Sequence, residues 1–319
     1  MRKISVYFEG FWKGFDNENN FIINILRKYF DVIVSNQPEY LFYSIFNDNY
    51  LKYDCVKIFF TGENLSPDFN VCDFAMAYDD IQFGDRYLRF PLWLLYDSHF
   101  ERNMINGVEI TSLKRMHNDG KREKFCSFVY SNGNADPFRK ALYEKLDTYK
   151  HVDSGGRFMN NVGGPVKNKL TFEAEHRFSI ACENVSQAGY TTEKLVEAFV
   201  SGAVPIYWGD PDVIKDFNPK AFINCMDYDS IEDIIKMIRE IDQNQDLYED
   251  MMTQRVFQDE QFIDHKYEAV EQFLVHIVEL PYEKARKNAR FYWKKIYQKK
   301  LIQGTFVYGL VEKLKSVVR

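Results

Sequence analysis

The stretch FSIACENVSQAGYTTEKLVEAFVSGAVPIYWGD, residues 178–210, decides the fold. It opens with a buried apolar strand, FSIACEN (178–184). A loop containing Gly189 follows, then a helix over Thr191 to Val200 with Gly202 as its stop signal. VPIYWG (204–209) reads as the next strand. Strand, crossover helix and strand in this order predict a parallel sheet. Thr191 is the expected N-cap, and Lys194 falls in the first helical turn. Free backbone N–H groups and the positive end of the helix favour an anion there, while a cation is disfavoured. A bound diphosphate would remove that conflict. The plain alternative is a solvated Lys at an ordinary helix start.

Working outward, AFINCM (221–226) is a further strand. Ile231, Ile234, Ile235, Ile238 and Ile241 mark an amphipathic helix. Upstream, KFCSFVYSN (124–132) is a strand, and Asp136-Pro137 opens a helix with a cap and a first-position proline. The first third repeats the scheme. KISVYF (3–8), DVIVS (31–35) and VKIFF (56–60) read as strands, with a helix over Phe21 to Tyr29. The polar stretch Lys114 to Lys124 has no apolar periodicity and is the expected linker. These signals predict two Rossmann-like domains, 1–118 and 119–283, facing a central cleft, with ligands beyond the C-terminal strand ends. Residues 284–319 form a separate tail.

The chain has 319 residues and a net charge of −6, which argues against a nucleic-acid binder. The charge is uneven. From Lys284 onward there are eleven Lys and Arg against one acid, Glu312. Five cysteines, with no C-x-x-C pair, suit a reducing compartment better than a disulfide framework or a zinc site. The start MRKISVYFEG reads as a strand rather than a signal peptide, and no apolar run approaches the ~20 residues of a membrane span. A cytoplasmic protein is expected. Aromatics reach 17%, mostly as core.

ENVSQAGYTTEK, followed by VPIYWGDP and KDFNPKAFIN, resembles the donor-site signature of the fucosyltransferases of glycosyltransferase family 10. FFTGENLSPDFNVCDFAMAYDD and DRYLRFPLW are similar to that family's acceptor-domain block. Gly155-Gly156-Arg157 and VKNK (166–169) lie between, also as in the family. The strand-like start and basic end resemble its bacterial branch. The resemblance implies the two-domain fold called GT-B and an inverting alpha-1,3-fucosyltransferase. GDP-fucose would be the donor, an N-acetyllactosamine- or lactose-type glycan the acceptor, and no metal or other cofactor would be required. It also implies roles. Arg157 and Lys194 would hold the GDP phosphates, Glu193 the ribose hydroxyls, and Asn184 and Tyr190 would line the nucleotide or fucose pocket. Glu63, in TGEN, would be the general base. Transfer from another nucleotide sugar, or nucleotide-sugar binding without catalysis, are the alternatives.

Asp227-Tyr228-Asp229 matches a metal-binding D-x-D pattern, but Asp229 is expected to cap the helix at 231 instead. In the tail, Ala289, Tyr292, Trp293, Ile296 and Tyr297 recur at helical spacing. Beyond Gly304, Val307, Leu310, Val311, Leu314, Val317 and Val318 do so again, with Lys flanks. Packing on the protein's own domains and binding to an anionic membrane both fit the first stripe. The second suits peripheral contact with an inner membrane surface.

Overall fold

The computed structural model describes residues 1–105, 108–116, 122–288 and 291–318. The chain divides into two units. One holds Met1–Ala77, Ile81–Phe90 and Lys266–Arg319; the other holds Tyr78–Asp80 and Pro91–His265.

In the first unit, β1 (Arg2–Glu9), β2 (Phe30–Val34), β3 (Tyr40–Tyr43), β4 (Val56–Phe60), β5 (Phe74–Ala77) and β6 (Tyr87–Arg89) form one sheet in the order β2-β1-β3-β4-β5-β6. Every pairing is parallel. Ile4, Val6 and Phe8 alternate into the core along β1, whereas all five residues of β4 are buried. Helix α1 (Phe21–Leu26) connects β1 to β2 and is capped by Asn20, whose side chain accepts from the Ile23 N–H.

The second unit opens with an antiparallel hairpin of β7 (Phe100–Ile105) and β8 (Val108–Leu113). Its parallel sheet contains β9 (Lys124–Phe128), β10 (Val152–Ser154), β11 (His176–Cys182), β12 (Val204–Trp208) and β13 (Ile223–Asn224), ordered β10-β9-β11-β12-β13. The helices are α2 (Pro137–Asp147), α3 (Lys169–Glu173), α4 (Glu193–Ser201), α5 (Ile231–Gln243) and α6 (Gln245–Thr253). Asp136 caps α2 as expected. Ser230, not Asp229, caps α5, because its hydroxyl reaches the Asp233 N–H.

Helix α7 (Phe262–Glu279) carries the chain back into the first unit, followed by α8 (Tyr282–Ala285) and α9 (Trp293–Val318). The unit limits therefore differ from the expected 1–118, 119–283 and 284–319, of which 118–119 lies outside the described residues. Residues from Pro91 fall in the second unit because Trp93 is buried against Phe217 and Phe257, with ring centroids 5.2 and 5.5 Å away. Residues 266–288 fall in the first. There Phe273 meets Phe74 edge-on, and buried Asn288 donates its backbone N–H to Asp73 at 2.7 Å.

The tail is not a separate segment. One face of α9 rests on the first unit, where Tyr297 donates to Asp68 at 2.8 Å and Leu301 packs on the cluster around Leu41 and Phe59. Tyr292, Trp293, Ile296, Phe306 and Val307 are exposed. The stripe from Leu310 onward, and Ala289 of the first stripe, lie outside the described side chains. All five cysteines are buried.

Candidate functional site

Each of the two parallel sheets has a point where the strand order reverses. Ligands of such sheets bind beyond the C-terminal strand ends at that point. In the second unit it lies between β9 and β11. Asn184, Tyr190, Glu193 and Lys194 all follow β11, and Arg157 follows β10, so the five proposed donor residues share one sheet edge.

The loop bearing Arg157 is held by its backbone. Gly155 N–H donates to Phe128 O at 3.0 Å, and Phe158 N–H donates to Tyr130 O at 2.9 Å. A Cβ at Gly156 would sit 1.9 Å from Tyr130 O, so only glycine allows this approach. Arg157 itself is exposed.

Past β11, the loop is organised by two buried carboxylates to which the sequence reading gave no role. Asp210, after β12, accepts from Gly189 N–H at 2.7 Å and from the Thr191 hydroxyl at 2.8 Å. Glu183, fully buried, accepts from Thr192 N–H at 2.8 Å, from the Thr192 hydroxyl at 2.6 Å and from Lys194 Nζ at 3.0 Å. Gly209, at φ +149°, clears the space beside Glu183, where a Cβ would meet the Glu183 Cβ at 2.6 Å.

This network corrects two expectations. Helix α4 starts at Glu193, and its N-cap is Thr192 rather than Thr191; the hydroxyls of both are committed to Asp210 and Glu183. Lys194 is neither solvated nor free. Its side chain is 13% exposed and lies between Glu183 and Glu193, 3.2 Å from the latter. The conflict between a cation and the helix N-terminus is thus already relieved by protein carboxylates. Burial lifts the Glu183 carboxyl above its usual range, and Lys194 offsets part of that. Burial pulls Lys194 down, but Glu183 and Glu193 outweigh it and hold the ammonium charged. Burial also works on Glu193, where Lys194 and Lys169 prevail and lower its pKa.

Beside this pair, Lys169 on α3 meets Glu197 at 2.6 Å and Glu173 at 3.7 Å. Glu173 is buried and accepts from the Ser179 hydroxyl at 3.0 Å. Burial pushes its carboxyl up to about 7 despite Lys169.

Asn184 is oriented by Arg139, whose guanidinium donates to its Oδ1 at 2.6 Å and stacks over the Tyr130 ring. Arg is a donor only, so this bond fixes the amide orientation and leaves the NH₂ end for a ligand. Tyr190 is buried, its ring edge-on to Tyr78 at 5.1 Å. Its ring thereby ties the loop after β11 to Tyr78.

In the first unit, Glu63 stands three residues past β4, exposed, with its N–H donating to Thr61 Oγ1 at 3.0 Å. Asp227 accepts from Asn224 at 2.8 Å. Among the described residues, no group of three or more His, Cys, Asp or Glu is arranged to hold a metal.

Two family models match in chain order. The alpha-(1,3)-fucosyltransferase FucT N-terminal domain matches residues 6–96, and the C-terminal model of glycosyltransferase family 10 (fucosyltransferase) matches residues 119–255. The chain is 36% identical to alpha-(1,3)-fucosyltransferase FucT of Helicobacter pylori over 61% of its own length and 46% of that protein. It is 29% identical to human 4-galactosyl-N-acetylglucosaminide 3-alpha-L-fucosyltransferase 9 over 40% of itself and 36% of that protein. It spans less than half the length of these curated relatives. A crystal structure of alpha1,3-fucosyltransferase with GDP-fucose matches with a TM-score of 0.70 at 26% identity, covering 88% of this chain and 93% of that one. The fold is accordingly GT-B, built from two Rossmann-like units. Matched over residues 6–96 and 119–255, together more than half of its length, by models of the same enzymes, the chain belongs to glycosyltransferase family 10, the fucosyltransferases.

Proposed function

We propose that the chain is an inverting alpha-1,3-fucosyltransferase that moves L-fucose from GDP-fucose to a GlcNAc or Glc hydroxyl of an N-acetyllactosamine- or lactose-type acceptor. The observation that carries this reading is the likeness, across most of both chains, to a solved alpha1,3-fucosyltransferase with GDP-fucose. The acceptor oxygen attacks the fucose anomeric carbon as the bond from that carbon to the GDP β-phosphate oxygen breaks. Glu63 takes the acceptor's proton, an effect worth roughly 10²–10⁴ in rate. One displacement inverts the centre, so no second carboxylate acts as nucleophile. Arg157 and Lys194 neutralise the charge that collects on the departing GDP, the part a metal ion plays elsewhere. Lys194 does so from within its pair with Glu183, as a fixed point charge, while exposed Arg157 closes on the diphosphate as a fork. Glu193 accepts from the ribose hydroxyls, and the Asn184 amide donates to the nucleotide or the fucose. Tyr190, held edge-on by Tyr78, lines the nucleotide or fucose pocket.

The test is a screen of GDP-sugars against lactose and N-acetyllactosamine, with linkage analysis of any product. Transfer of a different sugar would replace fucose in the reading, and binding of GDP-fucose without product would replace the enzyme by a binding protein.

The same reading extends to a membrane surface inside the cell. Helix α9 turns Ile296, Ile302, Phe306 and Val307 outward together with Lys295, Lys299 and Lys300. Apolar side chains flanked by lysines suit an anionic bilayer surface, at about 1 kcal/mol per Lys. Among the described residues, no helix is long and apolar enough to cross a membrane. Binding to anionic vesicles at low salt tests the contact.

A further inference from the structure

We infer that Trp12 is a stacking platform for the acceptor glycan, a role that rests on the fucosyltransferase reading above. The order β2-β1-β3 puts the switch point of the first unit between β1 and β3, and β4 is the next strand along. Register fixes what lies there. Glu9 pairs with Tyr43, and Tyr43 pairs with Phe59. The loops that follow β1, β3 and β4 therefore leave the sheet side by side.

Each of these loops presents one large apolar side chain to solvent: Trp12 at 41% exposure, Phe46 at 53% and Leu65 at 50%. The loops are tied together. Phe46 N–H donates to Gly10 O at 2.9 Å, and the Phe11 ring stacks on Phe60, the last residue of β4, at 6.0 Å. Trp12 is held in turn by Phe11 at 5.6 Å and edge-on by Phe15 at 5.0 Å, and a turn closes through Phe15 N–H to Trp12 O at 3.1 Å. The indole is thus a fixed, half-open ring rather than a loose side chain.

Single exposed apolar residues are ordinary, but these three stand on adjacent loops at a switch point, where a ligand is expected. Glu63 stands on the β4 loop, three residues beyond Phe60. Two strand spacings, about 9–10 Å, separate the strands from which the Trp12 and Glu63 loops leave, a spacing on the scale of a disaccharide. A pyranose turns one face of polarised C–H groups outward, and these suit the negative face of an indole. One sugar of the acceptor lies on Trp12 while the hydroxyl of its neighbour meets Glu63.

The test compares the wild-type chain with Trp12→Ala and Trp12→Phe in transfer from GDP-fucose to N-acetyllactosamine and to lactose. Hydrolysis of GDP-fucose without acceptor is measured alongside. Trp12→Ala should raise the acceptor KM about tenfold, ~1.4 kcal/mol, with the GDP-fucose KM and the hydrolysis rate unchanged. Trp12→Phe should restore most of that loss. An acceptor KM in Trp12→Ala within twofold of wild type overturns this inference alone. So does a matching loss in donor KM and hydrolysis, which would make the ring merely structural. A wild-type chain that transfers fucose to no glycan overturns the fucosyltransferase reading, and this inference with it.

Discussion

Replacing Lys194 with alanine separates what this side chain does for the fold from what it does for the donor. Its ammonium lies 3.0 Å from a Glu183 oxygen and 2.8 Å from the Thr192 hydroxyl. Glu183 has no solvent access. Without the ammonium, the buried carboxylate keeps the N–H and hydroxyl of Thr192 but no counter-charge. Breaking a buried pair from one side costs about 3–5 kcal/mol. Glu183 can escape that cost by taking a proton. Its pKa in the fold is already raised by burial, and loss of Lys194 raises it further. A carboxyl raised in the folded state contributes its full stability below its unfolded pKa, about 4.3, and loses it as pH rises through the folded value. The limiting slope is about 1.4 kcal/mol per pH unit. Lys194→Ala should therefore melt close to wild type at pH 5 and well below it at pH 8. At about 2–4 °C per kcal/mol for a unit of this size, the deficit at pH 8 is about 6–20 °C. Differential scanning calorimetry at the two pH values measures it, and equal deficits would refute the ion-pair argument. Titration calorimetry with GDP at pH 6 then reads the second role, an expected loss of about 1.5–3 kcal/mol.

Arg157→Ala offers a cleaner donor-site test, because its loop is held by backbone hydrogen bonds and the side chain is exposed. Melting should stay put while GDP affinity falls by about 1.5–3 kcal/mol; unchanged affinity removes Arg157 from the phosphate site. Glu63→Gln should cut turnover at least about a hundredfold with GDP binding retained, and wild-type turnover would sink its assignment as base. Activity should survive excess EDTA; loss restored by Mn²⁺ would bring Asp227 and Asp229 back as ligands. A chain ending at Gly304 keeps Leu301 packed on the first unit's core, so it should transfer fucose to soluble acceptors at the wild-type rate yet bind anionic vesicles more weakly. Undiminished vesicle binding would move any membrane contact elsewhere.

Much of the architecture was legible in local pattern. Strands such as Val56–Phe60 and Val204–Trp208, the Asp136 cap and the Gly202 stop are set by side chains within a few residues of each other. Strands β3, β5 and β6 were not legible. They have three or four residues each, and Phe74–Ala77 is half alanine, a residue depleted in strands. Only neighbours in a finished sheet make such runs strands.

At the site, residue types and order along the chain determined which positions cluster after β10 and β11, because a parallel sheet delivers every following loop to one edge. Local sequence could not determine the charge state or partners of Lys194. Its counter-ion, Glu183, stands eleven residues earlier, and only the strand–loop–helix turn folds the two together out of water. The C-terminal segment depended even more on tertiary structure. Its basic, apolar periodicity suits a membrane and a protein surface equally, since both offer an apolar face beside solvent. Asn288 on Asp73 and Tyr297 on Asp68, contacts that span more than two hundred residues, are what assign part of it to the first unit, because a hydrogen bond between distant segments exists only once the fold has brought them together.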